Sequence, residues 1–181
     1  FNRSVLSDAA SFIEKQESTE VVRGRSYIFY GDQFNQQQNS PVHSAPVMND
    51  FTCYRNVPCH QVCFYDAQLF AQRGYDTDYR VRADYEHFLY CIYDKNARAV
   101  YMPVTVAFYE GGGFSETKEN RKRSALEHKV ITRYYQGWGK STWFAFLMLV
   151  SLAPLRTWIA ENPALAGVYN KVKSAVYGRR K

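Results

Sequence analysis

Cysteine and long apolar runs are scarce in this sequence. The 4 cysteines among 181 residues are too few for a disulfide scaffold, and they lack the Cys-x-x-Cys pair of a zinc site. We therefore expect a reducing compartment and small core cysteines. The longest apolar run, residues 143–155, is interrupted by Ser151 and Pro154. It falls short of the roughly 20 residues that a membrane-spanning helix needs. We find no internal repeat, so no repeat architecture is indicated.

Aromatic residues and positive charge are abundant instead. Aromatic residues make up 17% of the chain, a surplus typical of grooves, interfaces and membrane edges, where tyrosine and tryptophan suit half-wet positions. The formal net charge is +6. Hydrophobic residues at 46% and charged residues at 22% are ordinary for a globular protein and argue against disorder.

The hydrophobic pattern predicts helices that alternate with strands. We expect helices over residues 4–15, 66–73, 84–94 and 117–135 and from residue 141 onward, and strands over 21–30, 99–102 and 104–109. The first of these strands should end at a turn, Gly31-Asp32. Residues 33–50, which are polar and contain two prolines, read as a long loop or a loose hairpin. Such alternation indicates an α/β layer structure.

Four short motifs follow one another in the centre of the chain. They are His60-Gln61, Gly74-Tyr75-Asp76, Ala83-Asp84-Tyr85-Glu86 and Gly112-Gly113-Phe114-Ser115. In this order and spacing the chain, over about residues 1–135, resembles bacterial family 2 glycosyltransferases of the GT-A fold, which build exopolysaccharide, capsule or O-antigen. The resemblance implies a partial GT-A-like, three-layer α/β domain with helices at its C-terminal end.

Asp84 is the strongest candidate for a catalytic residue. It stands at the start of the best predicted helix, where free backbone amides and the helix dipole favour a carboxylate. On pattern alone, a helix N-cap explains this aspartate more simply. In similar enzymes the aspartate of this motif is the general base that deprotonates the acceptor hydroxyl during inverting transfer. The resemblance therefore implies that role for Asp84.

Four other residues, two in the His-Gln pair and two beside Asp84, are candidate substrate-binding residues. His60 and Gln61 are polar residues in a segment that otherwise reads as an apolar strand, and they are expected to hydrogen-bond a sugar or a phosphate. The alternative for His60 is a buried structural histidine. Arg82 and Glu86 flank the aspartate, although Glu86 is better explained as a residue that begins the helix.

The glycine-rich segment supplies the remaining candidates. Gly112, Gly113 and Ser115 would form a turn whose backbone amides approach a phosphate, and the alternative is a flexible turn. Many members of the family carry a histidine just before this turn, and Glu110 stands there instead. A carboxylate can ligate a metal ion but repels a diphosphate, so Glu110 is a weaker candidate for the metal site.

A second aspartate pair resembles a metal motif. Asp76 and Asp78 match the Asp-x-Asp pattern with which GT-A enzymes hold a divalent cation. In similar enzymes that motif lies earlier, before the His-Gln pair. We therefore expect residues 76–78 to form a solvated loop that at most contacts an acceptor.

The resemblance also implies what lies outside this chain. Residues 1–6 resemble the segment that follows the metal motif, so we expect the chain to be the acceptor-side part of a longer enzyme without its donor-binding half. The complete enzyme would use a nucleotide-diphospho-sugar donor, a saccharide or lipid-linked acceptor, and Mg²⁺ or Mn²⁺.

Residues 136–181 form a separate predicted segment that is helical, first apolar and then basic. Its tryptophans lie close to lysines and arginines, a combination suited to an anionic membrane surface, so we expect peripheral attachment at the cytoplasmic face of the cell membrane. The alternative is a helical hairpin packed against protein.

Two non-catalytic functions stay open as alternatives: a membrane-associated module and a nucleic-acid-binding module. Nucleic acid is disfavoured as a partner because the basic residues concentrate after Lys118 while most aromatics have core-like spacing.

Overall fold

The computed structural model describes residues 4–17, 25–110 and 117–151, which form a mixed α/β arrangement. The elements are α1 (Val5–Glu17), β1 (Tyr27–Asn35), β2 (Ser40–Val42), α2 (Asp50–Arg55), a 3₁₀ turn (His60–Val62), β3 (Cys63–Tyr65), α3 (Ala67–Gln72), α4 (Ala83–Tyr93), β4 (Arg98–Tyr109) and α5 (Lys118–Val150). The chain divides into two compact units after Trp138, and α5 contributes to both.

Strand β1 is the centre of the sheet. On one side it pairs in parallel with β4 along most of its length. On the other side its first half pairs antiparallel with β3 and its second half antiparallel with β2. Phe29, for example, lies opposite Val100 on one neighbour and Phe64 on the other.

The two faces of β1 belong to two different hydrophobic clusters, because successive side chains of a strand point to opposite faces. Ile28 packs in a cluster with residues of α3, α4 and α5, including Leu69, Phe88, Leu89 and Ile131. Phe29 packs on the other face with residues of α1 and β4, including Val5, Ala9, Met102 and Val106. Helices thus cover both faces of the sheet, which confirms the predicted three-layer α/β arrangement.

The predicted end of β1 at Gly31-Asp32 is wrong. The strand continues to Asn35, and Asp32 is a buried carboxylate that accepts hydrogen bonds from His43 Nδ1 at 2.7 Å, the Ser44 amide at 2.9 Å and the Tyr101 hydroxyl at 2.9 Å. Burial and the bond to Asp32 raise the pKa of Tyr101 to about 12. Three donors thus replace the water that a turn aspartate would have used.

The two short strands predicted over 99–102 and 104–109 are one strand, β4. Its pairing with β1 shifts register between Tyr101 and Thr105, so a bulge at this point accommodates the exposed Pro103, which has no amide hydrogen to donate. Proline therefore interrupts the ladder without ending the strand.

Gly31 lies close against β4. A Cβ at this position would lie 2.4 Å from the Val104 carbonyl oxygen and 2.6 Å from Val106 Cγ2. We expect Gly31→Ala to lower the free energy of unfolding by about 2 kcal/mol, because the strand backbone must shift. Urea denaturation measures this loss. Gly74→Ala is the matched control, since its Cβ meets no atom within 4 Å, and an equal loss in both variants would contradict the explanation.

Gly137 interrupts α5, where its backbone has φ 76° and ψ 163°, a left-handed φ that favours glycine. Helical structure resumes beyond it, and Trp143 stacks on Phe146. Within the described ranges, no helix combines the length and the apolarity that crossing a membrane requires. Residues 152–181, on which much of the predicted membrane-interface segment depends, lie outside the described residues.

Candidate functional site

A cavity of about 670 Å³ lies beside the carboxyl ends of the parallel strands β1 and β4. Gln33 of β1 and Tyr109, the last residue of β4, are part of its wall, and the loops and turns before α4 complete it. Open α/β sheets commonly bind ligands at the carboxyl ends of their strands. The cavity is therefore where the fold favours a ligand.

Asp84 faces this cavity from the first turn of α4. One carboxylate oxygen accepts a hydrogen bond from the Tyr85 amide at 2.8 Å, and the other lies 3.1 Å from Nδ1 of His60. The N-cap position of α4 is Arg82, so the N-cap explanation of Asp84 is wrong. The side chain remains 42% exposed, which leaves it accessible from solvent while two contacts fix its orientation.

His60 and Gln61 also line the cavity, but the strand predicted around them begins only at Cys63. They belong to the 3₁₀ turn, which the Val62 amide closes by donating to the Cys59 carbonyl at 3.0 Å. Val62 is buried against the α1 side of the sheet, and this anchoring leaves the two preceding side chains at the surface. His60 is half exposed, so the alternative of a buried structural histidine is also wrong.

Glu127 of α5 holds the turn that leads into α4. Its buried carboxylate accepts hydrogen bonds from the backbone amides of residues 80, 81 and 82 at 2.9–3.1 Å and from Arg123 Nε at 2.8 Å. Burial by itself raises the pKa of Glu127, but Arg123 and the three amides outweigh it, so the pKa lies below its usual range. The charged carboxylate therefore fixes the segment that presents Asp84.

Arg82 lies beside the main cavity and not in its wall. Its Nε donates to the Ser124 hydroxyl at 2.8 Å, and its guanidinium lies 5.2 Å from the Tyr85 ring centre. It lines a smaller cavity of about 200 Å³ that shares Asp84 with the main one. The structure thus connects Arg82 to the site through Asp84.

Glu86 has a place in the core. Its carboxylate, 4% exposed, pairs with Arg73 and accepts a hydrogen bond from the Tyr135 hydroxyl. These contacts join α4 to the end of α3 and to α5. The structure therefore supports the structural role that the sequence favoured for Glu86 and does not bring it to the cavity.

The remaining predicted residues are only partly described. Glu110 is exposed directly after β4, and Gly112, Gly113 and Ser115 lie outside the described residues. Asp78 is exposed, and its amide donates to Asp76 Oδ1 at 3.0 Å, a local turn outside the cavity wall. Within residues 4–17, 25–110 and 117–151, no group of three or more His, Cys, Asp or Glu side chains could hold a metal ion.

Several cavity residues escaped the sequence analysis. Arg80 adds a cationic residue to the wall, and its position two residues before Arg82 was the only signal in the sequence. Tyr75 forms edge-to-face contacts with Phe70 and His87, at 5.3 Å between ring centres in both pairs. These residues supply a cation and an aromatic surface, which suit an anionic group and a sugar ring respectively.

Cys59 also lines the cavity, and burial raises the pKa of its thiol. A thiol with a raised pKa stays protonated near neutral pH and is a poor nucleophile. Cys59 is therefore a poor candidate for a catalytic group at this cavity.

Comparison with known proteins agrees with this chemistry. Over 138 residues the chain is 34% identical to a PGL/p-HBAD biosynthesis glycosyltransferase of Mycobacterium bovis (strain BCG / Pasteur 1173P2) and, equally, of Mycobacterium tuberculosis (strain ATCC 25177 / H37Ra). The match covers 74% of this chain and 51% of each relative, so the chain spans about half the length of the curated relatives it matches. No family model matches the chain, and no solved structure matches significantly. The similarity supports a glycosyltransferase.

Proposed function

We propose that this chain is the acceptor-side part of an inverting family 2 glycosyltransferase of the GT-A type. The reaction would transfer a sugar from a nucleotide-diphospho-sugar to a saccharide or lipid-linked acceptor in cell-surface polysaccharide biosynthesis. The observation that carries the proposal is the exposed Asp84 carboxylate, held by His60 at the edge of the cavity. The 34% identity to mycobacterial glycosyltransferases supports the same class of reaction.

Asp84 acts in this proposal as the general base. Its carboxylate takes the proton of the acceptor hydroxyl while the acceptor oxygen forms a bond to the anomeric carbon of the donor. The bond between that carbon and the diphosphate oxygen breaks, and the nucleoside diphosphate leaves with the electron pair. The contact with His60 Nδ1 keeps the carboxylate in one orientation, so the proton acceptor stays in place during attack.

Other parts of the proposal concern groups outside this chain. The donor-binding half would be supplied by the remainder of the protein, and the Mg²⁺ or Mn²⁺ would be held by ligands outside the described residues. That cation would stabilise the charge of the leaving diphosphate. The enzyme would work at the cytoplasmic face of the cell membrane, where a lipid-linked acceptor presents its sugar.

A transfer assay with the complete enzyme tests the function. Nucleotide-diphospho-sugars carrying a labelled sugar are incubated with a bacterial lipid and saccharide extract, and the label should enter the acceptor fraction as nucleoside diphosphate is released. NMR of the product should show an inverted anomeric configuration. Retained configuration would contradict the role of Asp84 as base, and absence of release with every donor would contradict glycosyl transfer.

The aspartates at 76 and 78 provide a separate prediction. We expect the double variant Asp76→Asn and Asp78→Asn to leave the metal dependence of the complete enzyme unchanged, because this loop lies outside the cavity wall. Transfer rates are measured across a Mg²⁺ or Mn²⁺ titration. A large rise in the cation concentration needed for half-maximal rate would place the metal at this loop and overturn our assignment.

A further inference from the structure

Helix α5 exposes a row of large apolar side chains within the first compact unit. Leu126, Val130 and Tyr134 follow one another at intervals of four residues and are 67%, 55% and 74% exposed. Residues four apart lie on the same face of a helix. We call this row the α5 ridge. Ile131 of the same helix, by contrast, is fully buried in the core.

A row of basic residues runs beside the α5 ridge. Lys122, Lys129 and Arg133, the basic strip, lie roughly 60–100° around the helix from Val130, all on the same side of it. The Arg133 guanidinium also lies 3.6 Å from the ring centre of Trp138, which is itself exposed. The helix therefore presents hydrocarbon, aromatic rings and cations next to one another.

Helix α5 exposes fewer acidic groups than basic ones. Glu127 is buried and bonded to Arg123 and to backbone amides. Glu119, in the first turn, is the other acidic residue of the helix and is exposed. The exposed side of α5 thus carries a clear excess of positive charge.

We propose that the α5 ridge and the basic strip dock onto an anionic lipid surface. Apolar side chains on one face gain free energy by entering the boundary between headgroups and acyl chains, and adjacent lysines and arginines gain from anionic headgroups. The juxtaposition of both kinds of side chain on one helix is the feature that selects this partner. Docking is independent of the transfer reaction, because it requires neither donor nor acceptor.

A second copy of the chain is a poorer occupant. The ridge extends only about 12 Å along the helix from residue 126 to residue 134, whereas a stable dimer buries roughly 800 Å² per partner. In an antiparallel pair, two facing copies would also bring their basic strips together. Nucleic acid would be attracted by the cations but gains little from the aliphatic Leu126 and Val130, which cannot stack with bases as aromatic rings do.

Vesicle sedimentation of the full chain tests the proposal. Vesicles of phosphatidylglycerol and phosphatidylcholine are compared with phosphatidylcholine alone at low salt. The strip variant carries Lys122→Gln and Lys129→Gln, and its matched control carries Arg55→Gln and Arg98→Gln, which remove the same charge from other exposed positions. The ridge variant carries Leu126→Gln, Val130→Gln and Tyr134→Gln, and its control carries the exposed pair Leu6→Gln and Val47→Gln.

We expect binding to the anionic vesicles and little binding to the neutral ones. The strip variant should bind roughly 25-fold more weakly, about fivefold for each cation removed. The ridge variant should lose about tenfold or more, and both controls should bind like the parent. Circular dichroism checks that each variant is folded.

Three results would overturn the proposal. These are vesicle binding that the ridge and strip variants retain, absence of binding at low salt, and equal binding to neutral vesicles. Two further measurements identify the other occupants. If sedimentation velocity shows a dimer of the parent and a monomer of the ridge variant, the occupant is a second copy of the chain. If the parent binds single-stranded DNA and only the strip variant loses that binding, the occupant is a nucleic acid. Loss of glycosyl transfer would leave these vesicle results unchanged, so the two proposals fail separately.

Discussion

Asp84→Asn is expected to lower kcat of the complete enzyme by about 10²- to 10⁴-fold, the usual contribution of a general base. Asparagine keeps the size of the side chain and its contact with the Tyr85 amide but cannot take a proton at neutral pH. Affinity for the nucleotide sugar should change little, since Asp84 is proposed to act on the acceptor. Steady-state kinetics with varied donor and acceptor separate kcat from KM.

Asp78→Asn is the matched control for this experiment. It makes the same chemical change in an exposed loop outside the cavity wall, so its kcat should stay near that of the parent. If Asp84→Asn keeps a near-normal kcat, Asp84 is not the base. If the variant instead raises the donor KM at constant kcat, the carboxylate of Asp84 binds the donor and does not act on the acceptor.

Local periodicity predicted the helices that pack on the sheet. In α4, Tyr85, Phe88 and Leu89 recur at helical spacing, and all three are buried in the core cluster on one face of β1. Such a pattern depends on one face of one element and needs no partner to be read. The layer order followed because strands and helices alternate along the chain.

Turn signals were less reliable because sheet pairing overrode them. Gly31 and Asp32 read as a turn, yet β4 requires a glycine at the first position and three donors satisfy a buried carboxylate at the second. Likewise Pro103 reads as a break between strands, yet a bulge absorbs it. The β4 residues that pack on Gly31 and bond Asp32 lie about seventy residues away in the sequence, although His43 and Ser44 are close by.

The candidate site shows the same division between local and distant information. The resemblance indicated both His60 and Asp84, but only the fold brings these residues, 24 positions apart, to a 3.1 Å contact. Glu127 gave no signal at all. A carboxylate that accepts hydrogen bonds from backbone amides needs no particular side chain as its partner. In the sequence, Glu127 is therefore only one more charged residue on a basic helix.

Glu127→Gln is expected to lower the free energy of unfolding by about 2–4 kcal/mol at neutral pH. The three amides of residues 80–82 and Arg123 lose a charged acceptor, and a glutamine cannot satisfy all four donors. Urea denaturation measures the loss. Glu119→Gln is the matched control on the same helix, and because Glu119 is exposed its effect should stay within about 0.5 kcal/mol.

Acid should remove the difference between the parent protein and Glu127→Gln. The pKa of Glu127 is lowered in the folded protein, so the stabilisation is complete above the pKa of the unfolded glutamate and is lost as the pH falls through the folded pKa. Denaturation curves recorded from pH ~7 down to pH ~3 should therefore converge for the two proteins. A gap that stays constant over this range would show that the charge of Glu127 does not stabilise the turn. The same turn presents Asp84, so the variant should also lower kcat, whereas Glu119→Gln should not.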